Sequence, residues 1–179
     1  MKIMKNLLNY EVPIRTEKDF PKEGVEFIDI TPVFADTVVY ADIINSFVHE
    51  IENQKIDFIV SPEARGFWFG CPVANKLGCG FIPVRKKGKL PPTSIACNVS
   101  YEKEYGTDTL CIPKLLEDSF KGKKVYIVDD IYATGNTAKA IHNSLVKLGA
   151  TVVGTAVFIN IIELNESQDI YSIMDVHES

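Results

Sequence analysis

One stretch of this chain decides its fold: Val125-Tyr126-Ile127-Val128-Asp129-Asp130-Ile131-Tyr132-Ala133-Thr134-Gly135-Asn136-Thr137-Ala138. Its first four residues are apolar, β-branched or aromatic, which is typical of a buried strand. Two adjacent carboxylates end that strand, and a small, hydroxyl-rich turn leads into a helical pattern. A strand, a turn and a helix in this order indicate one unit of an α/β protein.

The turn at residues 133–137 has the composition of an anion site. It can direct several backbone N–H groups and hydroxyls at one anion, at the positive end of the following helix. Helix capping alone needs a single Ser, Thr or Asp, so an ordinary strand-to-helix turn is the weaker interpretation. The adjacent carboxylates of Asp129 and Asp130 suit a partner rich in hydroxyls, or a metal ion. A phosphate beside a sugar diol would be a ribose 5-phosphate.

Strands and helices alternate along the rest of the chain. Helical spacing of apolar residues predicts helices from Tyr40, over residues 65–77 and after the signature stretch. Strands are predicted at residues 57–60, 81–85, 124–130, 152–161 and 171–176, and an extended hairpin or flap at residues 93–112. This alternation predicts an α/β fold with a central, mostly parallel sheet flanked by helices. Ligands of such sheets bind beyond the carboxyl ends of the strands.

Length and composition favour a single domain over residues 1–179. The chain is 46% hydrophobic and 24% charged, and its net charge of −5 argues against nucleic acid as a main partner. We see neither an apolar stretch long enough to span a bilayer nor a signal peptide. The 4 cysteines form no CxxC pair and no zinc spacing, so we interpret them as reduced thiols of a cytoplasmic protein.

Four further segments carry candidate chemistry, although each has a plain structural explanation when taken alone. Residues 63–67 follow a predicted strand and could be a simple helix start. The five residues 85–89 include four cations, which usually form a solvated face. Their position at the expected ligand edge fits a multiply charged anion as well or better. Residues 101–108 could be a charged hairpin tip, and residues 20–32 a structural N-terminal hook.

All five segments occur together in an order that resembles the adenine phosphoribosyltransferase family from about Phe20 to Phe158. The signature stretch resembles the phosphoribosyl pyrophosphate (PRPP) motif of all type I phosphoribosyltransferases, and residues 64–70, 85–91 and 104–108 resemble the adenine family in particular. The resemblance implies the type I phosphoribosyltransferase fold, with an N-terminal hood at residues 1–35 and a flexible flap at residues 93–112. It implies a pentosyltransferase of purine salvage that makes AMP and pyrophosphate from adenine and PRPP.

The resemblance implies a role for each matching residue of the sugar and phosphate sites. Asp129 and Asp130 should hold the ribose hydroxyls. The 5-phosphate should be held by a set of backbone groups and hydroxyls in the turn: Ala133, Thr134, Gly135, Asn136 and Thr137. Arg65 should act in catalysis by contacting the pyrophosphate, and Glu63-Ala64 matches a family loop with an unusual peptide geometry.

The same resemblance implies roles around the pyrophosphate and the base. Arg85, Lys86 and Lys89 should also bind pyrophosphate, some of them across a dimer interface. Phe27 and Ile131 match the pair that sandwiches the purine, which suits a flat heteroaromatic ring.

The remaining implied roles concern the purine edge and the flap. The backbone of Glu26 and Ile28 would read the edge of the purine. Glu104 matches the flap carboxylate that handles the purine proton, and Tyr105, beside it, is a further candidate for substrate binding.

Three single positions and the pair Ser61-Pro62, before Glu63, depart from the family pattern. Ile28 replaces a usual Arg, and this matters only if the side chain rather than the backbone acts there. Glu26 replaces a small apolar residue, and its charge could favour an exocyclic amine on the base. Asn136 replaces a usual Gly, and we expect the loop to survive because Asn tolerates positive φ.

Three other functions stay open from the residues, and one of them is a generic phosphate-binding α/β domain with no transferase role. A 6-oxopurine phosphoribosyltransferase is the nearest alternative to an adenine enzyme, but such families usually place an Asp where this chain has Ala133. A non-catalytic PRPP-sensing regulator would not need Glu104, Arg65 and the basic loop together. The resemblance further implies magnesium bound mainly through PRPP or pyrophosphate, no protein metal ligand and a homodimer, and we expect no nucleic-acid or membrane partner.

Overall fold

The computed structural model describes residues 1–103, 106–115, 120–165 and 169–177. Strands and helices alternate in it as the sequence predicts. The strands are β1 (Lys2–Asn6), β2 (Arg15–Lys18), β3 (Glu26–Asp29), β4 (Phe58–Pro62), β5 (Gly80–Lys86), β6 (Ile95–Lys103), β7 (Gly106–Pro113), β8 (Lys124–Tyr132), β9 (Thr151–Ile161) and β10 (Tyr171–His177). The α-helices are α1 (Thr31–Ala35), α2 (Thr37–Ile51), α3 (Arg65–Leu77) and α4 (Asn136–Lys147).

Eight of the strands form one sheet in the order β1-β10-β9-β8-β4-β5-β7-β6. The neighbours from β10 to β5 are parallel, and antiparallel strands complete both edges. The strands β2 and β3 form a separate antiparallel hairpin. The predicted central, mostly parallel sheet flanked by helices is therefore confirmed.

The chain reverses its direction of winding between β4 and β8. From β4 it proceeds outward to β5, whereas from β8 it proceeds the other way to β9 and β10. Ligands of doubly wound sheets bind in the crevice at such a switch point, beyond the carboxyl ends of the strands. Both Glu63, which follows β4, and the carboxylates at the end of β8 lie at that edge.

The centre of β8 shows why the sheet is buried on both faces. Val125 and Ile127 belong to one hydrophobic cluster, and Tyr126 and Val128 belong to the other. Alternate side chains of a strand point to opposite faces, so a continuous apolar run requires a covered sheet. The sequence predicted this strand two residues short, because it continues through Ile131 and Tyr132.

The N-terminal segment contributes to the main sheet as well as to the site. Strand β1 pairs antiparallel with β10, which the sequence did not predict. Its first three side chains are exposed, so no apolar alternation marks it. Among the described residues, no helix has the length and apolar character needed to cross a membrane.

Candidate active site

The two adjacent carboxylates lie near the end of β8. Asp130 is buried, and its backbone N–H donates to Oδ1 of Asp129 over 2.8 Å. Burial, followed by the neighbouring charge of Asp130, raises the pKa of Asp129 well above its ordinary value. The protonated form of Asp129 is therefore more favourable in the fold than it would be for an isolated carboxyl group.

Arg65, the first residue of α3, connects this acidic pair to the hood. Its Nε lies 2.6 Å from Oδ2 of Asp130. Since that oxygen is buried and no described donor is aligned with it, charge rather than an aligned hydrogen bond holds the pair. The Arg65 Nη1 donates to the Ile28 carbonyl over 3.3 Å, and its guanidinium carbon lies 5.4 Å from the centre of the Phe27 ring.

A glycine allows α3 to approach the acidic pair. A Cβ on Gly66 would lie 2.9 Å from both Oδ1 of Asp129 and Cδ of Pro62. Any larger residue would therefore push the helix start away from β8, and Arg65 with it. The peptide bond before this helix, between Glu63 and Ala64, is cis, which confirms the unusual geometry expected from the family loop.

The predicted phosphate loop, residues 133–137, encloses a small cavity of about 90 Å³ together with the end of β8. Gly135 has φ of 77° and stands directly before α4, so the cavity lies at the positive end of a helix. A side chain at Gly135 would also collide with the Tyr132 hydroxyl, which lies beneath the loop. Both the conformation and the close approach therefore require glycine.

Asn136 does not adopt the positive φ that we considered for it. It is the first residue of α4, and the left-handed conformation belongs to Gly135 instead. The departure from the family pattern is thus tolerated because a helical position accepts Asn. The Asn136 N–H lies 3.4 Å from Oγ1 of Thr134, which it can donate to within the loop.

The basic segment begins at the end of β5, beside Glu63. Oε2 of Glu63 accepts from Nε of Arg85 and from the N–H of Lys86, each over 2.9 Å. Burial acts to raise the pKa of Glu63, but these two hydrogen bonds outweigh it and lower the pKa below its ordinary value. Glu63 thus fixes the direction of Arg85, while Lys86 and Lys89 are exposed to solvent.

The segment expected to bind the purine includes the hairpin of β2 and β3. Phe20 packs edge-on against Phe27 with ring centres 5.2 Å apart, and Ile28 points its side chain into the core. The Ile28 side chain is therefore structural here, and its carbonyl faces Arg65. The Glu26 carboxylate lies 3.6 Å from the amino group of Met1, so its charge is already partly balanced.

The structure brings most of the predicted residues to one edge of the sheet. Ile131 follows the acidic pair in β8 and packs partly against the core. The flap is an antiparallel hairpin of β6 and β7, as predicted. Glu104 and Tyr105 lie outside the described residues.

Sequence reasoning missed two residues that shape the phosphate loop. Tyr132 gave no signal beyond its strand pattern. Asn165 donates through Nδ2 to the Ala133 carbonyl over 2.8 Å, although it lies in a tail that matched no motif. A contact across 32 residues cannot be read from local spacing.

The comparisons with known proteins agree with this geometry. Residues 37–174 match the family model described as the phosphoribosyl transferase domain. The fold, the acidic pair and the phosphate loop therefore define a phosphoribosyltransferase.

Similarity to individual proteins narrows the class. The chain is 51% identical to an adenine phosphoribosyltransferase of Streptococcus thermophilus over 153 residues, which cover 85% of this chain and 86% of that protein. The crystal structure of the enzyme from Thermoanaerobacter pseudethanolicus matches with a TM-score of 0.83 and 41% identity, covering 91% of this chain and 95% of that one. The enzyme from Saccharomyces cerevisiae, complexed with adenine and an imino-altritol bisphosphate, matches with a TM-score of 0.80 and 35% identity, covering 89% and 93%. This chain belongs to the adenine phosphoribosyltransferase family, and the resemblance noted from its motifs is confirmed.

Proposed function

We propose that this chain transfers the 5-phosphoribosyl group of PRPP to adenine and releases AMP and pyrophosphate. It is then a pentosyltransferase of purine salvage. One observation carries the proposal: the acidic pair, the phosphate loop, Arg65 and Phe27 all meet at the switch point of the sheet. No single one of these features would distinguish a transferase from a generic phosphate-binding domain.

The sugar phosphate binds at the end of β8. The 5-phosphate occupies the cavity of the phosphate loop, where the N–H groups at the start of α4 and the hydroxyls of Thr134 and Thr137 are available as donors. The ribose hydroxyls donate to Asp129 and Asp130. The Asp130 carboxylate exchanges its contact with Arg65 for the sugar diol, since both partners use the same buried oxygen.

The pyrophosphate group binds towards α3 and β5. Arg65, once released from Asp130, can turn its planar guanidinium to the leaving oxygens. Arg85 is already held by Glu63 through Nε, and its terminal nitrogens are the groups that a phosphate would meet. Lys86 and Lys89 add exposed positive charge at the same edge.

The base binds against the ring of Phe27, with Ile131 opposite. In the yeast relative, adenine is one of the bound ligands. The backbone at Glu26 and Ile28 then reads the purine edge, which explains why the chain tolerates Ile at position 28. The Ile28 carbonyl accepts from Arg65 in this structure, so binding of the base and movement of Arg65 are linked.

The reaction breaks the bond between C1 of ribose and the pyrophosphate oxygen while a purine nitrogen approaches from the opposite face. The transition state carries positive charge on the sugar ring, and negative charge accumulates on the leaving group. Arg65 and Arg85 stabilise that negative charge. Glu104 accepts the purine proton as a general base, and the flap excludes water that would hydrolyse the activated sugar.

We further propose that magnesium enters with PRPP and stays bound mainly through its phosphate oxygens. Among the described residues, no group of three or more His, Cys, Asp or Glu side chains is arranged to hold a metal ion. When bound, the ion would neutralise part of the pyrophosphate charge. Asp129 and Asp130 offer carboxylates at the same edge, and they are assigned here to the ribose.

A cytoplasmic homodimer is the assembly that we propose for this chain. The described cysteines Cys71, Cys79, Cys97 and Cys111 are free thiols, as expected for a reducing compartment. Val38 and Trp68 are large apolar side chains with 64% and 42% of their surface exposed, which supports contact with a second copy. Sedimentation velocity would decide the oligomeric state.

A steady-state assay tests the proposed function. PRPP and magnesium are supplied with adenine, hypoxanthine or guanine in parallel, and the nucleotide product is identified. We expect AMP from adenine and little product from the other bases. Faster formation of IMP or GMP would assign a 6-oxopurine, and binding of PRPP without any product would assign a regulator.

A further inference from the structure

The residue Asn165 connects the C-terminal part of the chain to the phosphate loop. It follows β9, and its side-chain amide lies near three acceptors. Nδ2 is 2.8 Å from the Ala133 carbonyl, 2.9 Å from the Ile161 carbonyl and 3.0 Å from Oδ1 of Asn160. One amide group therefore joins the strand β9 to the first residue of the loop.

A chain of hydrogen bonds fixes which way this amide faces. Oδ1 of Asp175 accepts from Nδ2 of Asn160 over 3.1 Å, and it also accepts from the Ser172 hydroxyl over 2.6 Å. Since a carboxylate only accepts, the NH2 group of Asn160 must face Asp175 and its oxygen must face Asn165. Asn165 must then present its own NH2 group to Asn160 and to the loop.

The network is anchored at the far edge of the sheet. Lys5 in β1 donates to the Ser172 carbonyl over 2.7 Å, and its Nζ lies 3.8 Å from Oδ2 of Asp175. Asn160 is 7% exposed, so the middle of the network is shielded from water. Buried polar groups that are fully paired hold a single arrangement more firmly than separate pairs do.

The direction of the Ala133 carbonyl determines the direction of the next N–H group. The peptide unit is planar and trans, so the carbonyl of Ala133 and the N–H of Thr134 point in opposite directions. With the carbonyl held by Asn165, the Thr134 N–H points away from Asn165. The same contact keeps a carbonyl oxygen, which would repel an anion, occupied by a donor.

We propose that Asn165 is a positioning residue that presets the phosphate loop for the 5-phosphate of the sugar substrate. The proposal rests on the proposed function for the identity of the substrate. It does not place Asn165 in contact with the ligand, and it predicts an effect on the phosphate end and not on the base.

Calorimetric binding of ribose 5-phosphate tests the proposal without catalysis. We expect Asn165→Ala to lower the affinity for ribose 5-phosphate by about fivefold to tenfold, which corresponds to the loss of one or two neutral hydrogen bonds. In steady state the KM for PRPP should rise by a similar factor while the KM for adenine stays within about twofold. Equal affinity of Asn165→Ala and wild type for ribose 5-phosphate would overturn the proposal.

A second variant separates positioning from simple loss of packing. Asn165→Asp keeps the shape of the side chain but directs oxygens at the three acceptors. Near neutral pH it should therefore lose more affinity for ribose 5-phosphate than Asn165→Ala does. Protonation restores one donor, and the defect relative to wild type should shrink as the pH falls. A defect that does not change with pH would show that the amide N–H is irrelevant.

Asn6→Ala is the matched control, because Asn6 also donates its amide to a loop carbonyl, that of Tyr10 over 2.7 Å, without contacting the phosphate loop. It should lower the melting temperature at most. Should Asn165→Ala not fold, Asp175→Ala tests the same network, because it removes the oxygen that orients the Asn160 amide. Unchanged ribose 5-phosphate binding would again refute the proposal. Wild type that binds ribose 5-phosphate but makes no AMP would refute the transferase function and leave this test intact.

Discussion

The two halves of the active site are built in different ways. The proposed sugar-phosphate half comes from one continuous segment, the end of β8 and the start of α4. The half that we propose for the base and the pyrophosphate comes from the β2–β3 hairpin, the start of α3 and the end of β5. Local sequence can specify the first half, whereas the second exists only when distant segments pack together.

The difference also concerns how firmly each half is held before ligands bind. Asp130 and the loop around Gly135 are buried or sterically confined. Lys86, Lys89 and Phe20 are exposed, and Arg65 is held by an acidic partner that it must leave. We infer that the first half is preformed and that the second half rearranges when substrates arrive.

The largest effect should come from Glu104→Ala. We expect the turnover number to fall by roughly 10²–10⁴-fold, because the variant removes the proposed general base. PRPP should bind as in wild type, since the sugar-phosphate half is unchanged. Single-turnover kinetics together with PRPP binding check both statements, and unchanged turnover would remove Glu104 from the mechanism.

Asp130→Asn should weaken the sugar-phosphate half more than the other half, which Asp130 contacts through Arg65. Replacing a charged acceptor with a neutral amide should raise the KM for PRPP by about 10- to 100-fold, in line with roughly 1.5–3 kcal/mol for a hydrogen bond to a charge. The KM for adenine should change little. Asp57→Asn is a suitable control, since Asp57 accepts from the Lys124 N–H at the opposite end of the same strand. Equal losses for both substrates would contradict the separation of the two halves.

Phe27→Ala should produce the reverse pattern. Loss of a stacking surface that contributes about 1–2 kcal/mol should raise the KM for adenine by about 5- to 30-fold and leave the KM for PRPP within about threefold. Phe20→Ala is the matched aromatic control, because it touches Phe27 only edge-on and is half exposed. If Phe20→Ala had the larger effect on adenine, the assignment of Phe27 would be wrong.

Asp129→Asn should change how the stability of the protein depends on pH, because it removes a carboxyl group whose charged form is unfavourable in the fold. The folded-state pKa of Asp129 is raised, so its protonated form is favoured in the fold. Stability from this group is fully present below the unfolded pKa and is lost as the pH rises through the folded pKa. The variant should therefore gain stability relative to wild type as the pH rises above about 4, the ordinary pKa of an aspartate.

Melting curves of the ligand-free proteins measure that difference directly. A constant difference across the pH range would show that Asp129 titrates normally. The same variant should bind PRPP more weakly, which would illustrate how the site keeps a destabilising group for its function.

The smallest effect should come from Ser61→Ala, away from both halves. The Ser61 hydroxyl is fully buried, and no described group is its hydrogen-bond partner. Removing an unpaired hydroxyl should leave stability unchanged or raise it by about 1 kcal/mol. The Ser172 hydroxyl, by contrast, donates to Asp175 over 2.6 Å. Ser172→Ala should therefore lower the free energy of unfolding by about 1 kcal/mol. Urea unfolding of both variants tests the contrast.

Particular elements show how far sequence patterns reach. The bounds of α3 and its end at Gly78, with φ of 67°, agree with the prediction, because capping glycine and helical periodicity are local signals. The step from β8 into a helix was also predicted, although β8 continues two residues further than expected. Strand β1 was missed because its exposed, polar pattern does not identify an edge strand.

The sequence by itself determined the α/β fold class, the family and the identity of the residues at the phosphate loop. These properties follow from short-range chemistry: hydrophobic period, turn composition and adjacent carboxylates. Only the tertiary structure decided that Arg65 pairs with Asp130, that Glu63 holds Arg85, and that Asn165 holds the loop at Ala133. Each of these contacts joins residues between 22 and 65 positions apart, so its geometry depends on how the sheet and its helices pack.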